Sequence, residues 1–380
     1  MAELELVKSP ERFRVLKPYW DDLWQRCENA GAFQSFDICL KIWEAIAAPA
    51  GRKLCCVLGW DQGRLIAVWP LVTQRKLLWT YLRPLEAYDA ECASALLDDA
   101  IDHAQWIATA WAALRHQSGA DIAILPHLEL TSPMQAILSG HRFEEEPGVA
   151  VHVPLRDESG WESYYASLGK SHRRTHAKSV RRLAELGHIE AEVVEPGDHR
   201  GPALIDWLLV QKRIWAERNN KKGPWLYARS FRDFLVSYHA DRQAKPACRL
   251  MLLTLNGEPL VVQVYFCGQR TLHGMIGGFD PRYQKQSPGI LANEHLLRWA
   301  MERHLDCYLG LGAEPNKTFW SRNRVTEVRS YRISLSWRGD AANWLRALKQ
   351  RKSSAKWVNP VPEPESQEIG GAMGRSEARP

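Results

Sequence analysis

The chain of 380 residues is best approached through what it lacks. No uninterrupted apolar run is long enough to cross a bilayer, so no transmembrane segment is expected. The opening MAELELVKSPERF has no apolar h-region, so no signal peptide is expected and a cytoplasmic location is. The 8 cysteines (Cys27, Cys39, Cys55, Cys56, Cys92, Cys248, Cys267, Cys307) form no C-x-x-C pair. A zinc site or redox motif is therefore not expected, and the thiols read as small buried hydrophobes in a reducing compartment. Neither sign of charge dominates: 50 basic against 44 acidic residues give +6, which does not demand a nucleic-acid partner. Between Gly63 and Gly119 there is no glycine at all, so that stretch offers no loop through which a ligand could approach the backbone closely.

What is present is ordinary globular material, 45% hydrophobic and 25% charged, long enough for one to three domains. Helical spacing runs over 10–48 in two pieces, through Tyr19, Trp20, Leu23 and Trp24 and then Ile38, Ile42, Trp43 and Ile46. KLCCVLGW, the turn Asp61-Gln62-Gly63 and LIAVWPLVT read as a hairpin. Ala95, Leu96, Ile101, Trp106, Trp111 and Leu114 share a helical period, and DIAILPHL and VAVHVPL read as strands. The order then repeats. A helix over 161–186, the strand HIEAEVVE and a helix over 204–218 lead to a hairpin, RLMLLTL and PLVVQVYFC around Asn256-Gly257. RTLHGMIGGF, a helix over 290–304, CYLGLG and VRSYRISLSW follow. The repeat implies an internal duplication: residues 1–150, then 151–345, each with a central sheet. Residues 346–380 form a basic helix end and a tail rich in Pro, Glu, Ser and Gly, expected to be disordered.

The stretch GGFDPRYQKQSPGILANEHLLRWAMERHLDCYLGLGAEPNKTFW organises the second half. Ser287 is a favoured helix N-cap, Pro288 fits the first helical position, and Gly289 leaves the backbone bare. A helix start with free amides and a partial positive charge suits a phosphate. An ordinary capped helix would read the same way. The first half, without a glycine loop, is expected to hold no such site.

Hairpin, strand, glycine loop, helix and strand in this order resemble the core of the GNAT acyltransferases. Their Arg/Gln-x-x-Gly-x-Gly/Ala loop is matched by Gln286-Ser287-Pro288-Gly289-Ile290-Leu291 at the first glycine and departs from it at Leu291. Over residues 10 to 340 the chain resembles the cellulose-biosynthesis-associated (CelD/BcsL-type) branch. The likeness rests on Tyr283, Ser287, Pro288 and Gly289, on Asp306, Gly310, Gly312, Lys317 and Trp320, and on the basic run LGKSHRRTHAKSVRRL; Asn316 stands where Tyr is commoner. It implies a mixed α/β fold of two tandem GNAT-like domains and transfer of an acetyl or other acyl group from acyl-CoA to an amine acceptor. The setting implied is exopolysaccharide or cell-envelope biosynthesis. No metal is implied, and no nucleic acid unless the alternative holds. That alternative is the similar tandem layout of Fem-type aminoacyl transferases, which use aminoacyl-tRNA. A degenerate, non-catalytic assembly factor is the third reading.

Thioester aminolysis needs the CoA held, the carbonyl polarised, the amine deprotonated and the thiolate protonated. The resemblance puts CoA on Lys285, Gln286, Ser287, Pro288, Gly289 and Ile290. Candidate proton carriers are His273, which would titrate near neutral pH, Asp280, Tyr283 and Glu294. Lys317, Trp320, Arg173 and Arg174 are candidates for the acceptor. Each has a plainer reading: a core histidine, a turn-forming aspartate ahead of Pro281, a solvated glutamate, lysine or arginine.

Overall fold

The computed structural model describes residues 3–355 apart from Asn29, residues 88–93 and Lys222. The expected tail lies outside them. The first half runs β1 (Glu3–Val7), α1 (Pro10–Arg14), α2 (Lys17–Arg26), α3 (Phe36–Ile42), β2 (Lys53–Leu54), β3 (Cys56–Asp61), β4 (Arg64–Trp69), β5 (Leu71–Lys76), β6 (Trp79–Pro84), β7 (Leu96–Leu97), α4 (His103–Gln117), β8 (Ile122–Glu129) and β9 (Phe143–Val153). The second half continues with α5 (Trp161–Ser167), α6 (Lys170–Ala184), β10 (Ile189–Val194), α7 (Gly201–Arg218), α8 (Arg229–Ala240), β11 (Cys248–Leu255), β12 (Glu258–Cys267) and β13 (Thr271–Phe279). It ends with α9 (Pro288–Met301), β14 (Asp306–Leu311), α10 (Pro315–Thr318), β15 (Thr326–Ser334) and α11 (Trp337–Ala355).

The fold is mixed α/β, and the same order recurs: strand, helices, hairpin, strand, helix, strand. The hairpin turns Gln62-Gly63 (φ 47° and 78°) and Asn256-Gly257 (φ 52° and 83°) have two successive positive φ values. That is the type I′ geometry whose twist suits tight hairpins, and Asn-Gly is the pair that adopts it most readily.

The two halves are not separate in their sheets. One small sheet has the order β1-β3-β4-β7, and one large sheet runs β10-β11-β12-β13-β14-β9-β15-β8-β6-β5-β2. Two strands cross over. The end of β9 pairs with β14, and β15 is inserted between β9 and β8, pairing with both. The expected division at 150/151 falls inside β9. Instead of two central sheets, one large sheet joins the halves.

Three local expectations change. Leu96–Leu97 is strand, and the helix begins only at His103, because the Asp102 carboxylate accepts from the Gln105 amide and fixes the start there. The expected helix over 161–186 breaks at Leu168, whose backbone is extended (ψ 136°) ahead of Gly169. Helix α8 was not anticipated, although Phe231, Phe234, Leu235 and Tyr238 repeat at i, i+3, i+4 and i+7 and are all buried.

Candidate active site

Strands β13 and β14 run parallel and pair only over Thr271–His273 with Asp306–Tyr308. Beyond that they part. Gly310 and Gly312 adopt left-handed backbone (φ 88° and 91°), and the β14–β9 register jumps between Tyr308 and Leu311, so β14 bends away. β13 stays with β12 as far as Phe279. Among the described residues, the β13 edge from Gly274 to Phe279 therefore has no strand beside it on the β14 side. At the fork a Cβ on Gly274 would lie 3.2 Å from the Tyr308 carbonyl oxygen, so a glycine is what this close approach needs.

A cavity of about 290 Å³ fills the wedge. Its walls are the β13 backbone, Leu309–Leu311, the aromatic rings of Phe33, Trp215 and Trp225, and Gly289 and Asn293 of α9. Phe33 comes from the first half. Gln263 Nε2 donates to Asn293 Oδ1 (2.8 Å), and Asn293 Nδ2 donates to the Asn316 carbonyl (3.1 Å), so this polar wall is fixed in place. Three charged groups share the space. Lys317 Nζ donates to the Leu311 carbonyl (2.6 Å) and pairs with Glu314 (2.9 Å). Lys212 Nζ lies 4.0 Å from the centre of the Trp215 ring. Burial, then the charge of Lys317, pushes the Lys212 ammonium down to about 8, with Glu314 partly opposing. Burial also works against the charge of Glu314, but Lys317 and Lys212 outweigh it and hold its carboxyl below the usual range.

Helix α9 begins at the mouth of this wedge. Ser287 was expected to cap it with its side chain. It does not: Ser287 is left-handed (φ 54°, ψ 52°), a backbone that does not direct its hydroxyl to the helix amides, and no side chain caps this end. Pro288 has no N–H, and Gly289 follows it on the wedge side. Two neighbours support this turn from behind. Ser179 of α6 donates to the Gln286 carbonyl and, at 3.3 Å, to that of Ser287. Fully buried Trp320 donates from Nε1 to the Ile290 carbonyl (3.2 Å), while its own carbonyl accepts from Tyr164.

Several expected site residues lie elsewhere. His273, half-buried, packs against Phe33 and Tyr308. Burial pushes its imidazole down to about 4, although the Thr271 carbonyl resists, so it does not titrate near neutral pH. Asp280 caps the short 3₁₀ turn Pro281–Gln286 and is gripped by Arg282, whose hydrogen bonds hold its carboxyl below the usual range. Tyr283 packs beside Leu183 and Leu291 in an apolar cluster. Glu294 faces α6: His176 Nε2 donates to it at 2.6 Å, and Arg298 donates to its other oxygen at 3.0 and 2.9 Å. Burial opposes its charge, yet these partners keep its carboxyl below the usual value. Tyr165 donates to the remaining ring nitrogen of His176 (2.9 Å), so one tautomer serves both bonds. Arg173 caps α5 through the carbonyls of Ala166 and Leu168. Arg174 and Lys285 are exposed, and Trp320 is core. Of the expected residues, Gly289 and Lys317 line the wedge. Lys212, Gln263, Asn293 and Glu314 were not foreseen. Lys212 follows the apolar run Leu208-Leu209-Val210 and stands beside Arg213, so nothing local set it apart as a cleft residue.

Residues 170–318 match a family model described as "Acetyltransferase (GNAT) domain". No curated protein matches the sequence. Among solved structures, FemX superposes with a TM-score of 0.57 at 11% identity, over 87% of this chain and 96% of that one. A conserved protein of unknown function from Bacteroides thetaiotaomicron gives 0.54 at 12%, over 88% and 100%. The C-terminal domain of a putative lysylphosphatidylglycerol synthetase from Agrobacterium fabrum gives 0.52 at 12%, over 88% and 96%. At such identities these likenesses speak for the fold alone. Among the described residues there is no helix long and apolar enough to cross a membrane, and no group of His, Cys, Asp or Glu that could hold a metal ion.

Proposed function

We propose that the protein is a GNAT-type N-acyltransferase that moves an acetyl or other acyl group from acyl-CoA to an amine. The observation that carries this reading is the wedge between β13 and β14, with the uncapped start of α9 at its mouth. The α9 amide at Gly289 and the dipole behind it suit the CoA pyrophosphate, while the Ile290 amide already donates to the Ser287 carbonyl at 3.0 Å. Lys285, Gln286, Ser287 and Pro288 complete that turn. The thioester then runs down the wedge, where unpaired amides of the β13 edge after Gly274 polarise its carbonyl. The amine nitrogen attacks the carbonyl carbon, the C–S bond breaks, the thiolate takes up a proton and the amine gives one up. With a pKa near 8, Lys212 can exchange protons here at neutral pH, and Glu314 and Lys317 fix the local charge. His273, Asp280 and Glu294 are bonded into other tasks, so a water chain rather than one of them carries the amine proton outward. Trp320 supports the site from below.

The CelD/BcsL resemblance adds the setting we propose, a cytoplasmic enzyme serving exopolysaccharide or cell-envelope synthesis. Calorimetry with acetyl-CoA, against a charged-tRNA control, tests the reading. Micromolar binding of the thioester is expected. Binding of the charged tRNA alone would replace it with the Fem-type alternative, and binding of neither would favour a non-catalytic role.

A further inference from the structure

Helix α6 carries Lys170, Arg174, Lys178 and Arg182 at four-residue intervals, so four cations stand in a row on one flank, the last three toward the turn before α9. All four are exposed. Among the described residues neither Arg174 nor Lys178 has an acidic partner, whereas Arg181, on another side of the helix, pairs with Glu185 at 3.6 Å. Like charges at this spacing repel one another, so the row is suited to an anion that the chain does not supply. Its place is specific. Ser179, next to Lys178, donates to the Gln286 and Ser287 carbonyls, and Arg182 Nη1 donates to the Lys285 carbonyl at 3.4 Å. The row therefore borders the turn that leads into the uncapped end of α9.

We propose that Arg174, Lys178 and Arg182 bind the 3′-phosphate of the acyl-CoA nucleotide, with the pyrophosphate at α9 beside them. This rests on the acyl-CoA reading above. The place of these three, rather than the length of the row, points to this occupant. The bonds from Ser179 and Arg182 to the turn before α9 lie within residues 174–182, a rise of about 12 Å at about 1.5 Å per residue, and Lys170 stands a further turn away. Past Arg182 the chain turns acidic, at Glu185, Glu190 and Glu192, where a nucleic-acid backbone would need more cations. A free phosphate dianion between two or three cations forms charge-assisted contacts, while the exposure of the row lets the adenosine end remain in solvent.

The test is calorimetry of acetyl-CoA and 3′-dephospho-acetyl-CoA on the full chain and on the Arg174→Ser/Lys178→Ser double variant. Both side chains are exposed, and circular dichroism checks the fold. The parent should bind acetyl-CoA about tenfold or more tightly than the dephospho compound, roughly 1.4 kcal/mol. The double variant should bind the two within about twofold, having lost affinity for acetyl-CoA alone. Equal binding of the two ligands by the parent, or an undiminished preference in the variant, overturns the assignment and leaves the acyl-CoA reading standing. A parent that binds neither thioester overturns both. If it instead binds charged tRNA in a way the double variant loses, the row belongs to nucleic acid.

Discussion

Helices α4 and α9 hold the same place in the two halves, each following a strand and preceding the next strand of the large sheet. Their beginnings differ. Asp102 puts a carboxylate on the first amides of α4, and the strands beneath that helix are sealed by Trp69, Trp106 and Trp111 with Ile107 and Leu114. Trp106 lies so close to Gly59 that the glycine has no room for a Cβ. Helix α9 has no side-chain cap, and the strands beneath it diverge around glycines and a polar wall. One framework thus yields a closed apolar core where an acid occupies the helix start and tryptophans fill the gap, and a cleft where neither does. An acidic cap and an anionic ligand compete for the same amides, so a helix end can serve stability or binding but not both.

The largest test of this contrast is Gly289→Glu. A Cβ there would meet only Asn316, at 3.5 Å, so folding should be spared. The added carboxylate should block and repel the pyrophosphate and weaken acetyl-CoA binding at least about a hundredfold, roughly 3 kcal/mol. Unchanged affinity by calorimetry would mean that the two helix ends do not differ in the way described.

Next is His176→Ala, which leaves Glu294 buried with only Arg298. Removing the donor of a hydrogen bond to a buried carboxylate costs about 1.5–3 kcal/mol, and Arg298 should hold the loss near the lower figure. Urea denaturation measures it. If turnover also vanishes in folded protein, Glu294 has a part in the chemistry as well as in joining α6 to α9.

In the first half, Gly59→Ala should cost about 1–3 kcal/mol by driving a methyl into Trp106, without touching thioester affinity. A loss of binding there would show that the closed half also takes part in the site.

The two helix starts can be compared directly. Asp102→Ala should lose about 1 kcal/mol of stability as a removed cap, whereas Ser287→Ala should be close to neutral because that hydroxyl caps nothing. Equal losses in thermal melts would contradict the difference.

A last test is a slope with pH. Lys212 has a folded pKa near 8 against about 10.5 unfolded. Below pH 8 both states hold the proton, so the slope is flat there. Between about 8 and 10.5 the unfolded chain binds more protons, so stability should rise with pH. Lys212→Met should remove that rise from a pH series of melts.

Much of this was legible in advance. The hairpins, the β13–α9–β14 order and the glycine-bearing helix start follow from local signals: period-two runs, Asn-Gly and Pro-Gly. The recurring order of elements was visible for the same reason. What escaped was set by tertiary contact. No local pattern says that β15 will insert between β8 and β9, because that pairing joins residues about two hundred positions apart in the chain. The orientation of Glu294 depends on whether α6 or solvent lies beside it, and the loss of basicity at His273 depends on the rings packed over it. Lys212 becomes a cleft residue only once α7 is laid across β13. Ser287 resembled a cap by residue type, and its left-handed backbone set that aside.

The insertion of β15 also bears on how the molecule is made. Synthesis proceeds from the N-terminus, yet the first half cannot complete its share of the large sheet until Ser334 has left the ribosome. Until then β8 and the start of β9 present open edges, the kind of surface that pairs with other chains. A chain that stops near residue 318, where the acetyltransferase match ends, would keep every wedge residue named above and still lack the strand that closes its neighbour. The early part of the protein is thus held waiting on the late part, and premature termination would harm the half that had already been translated.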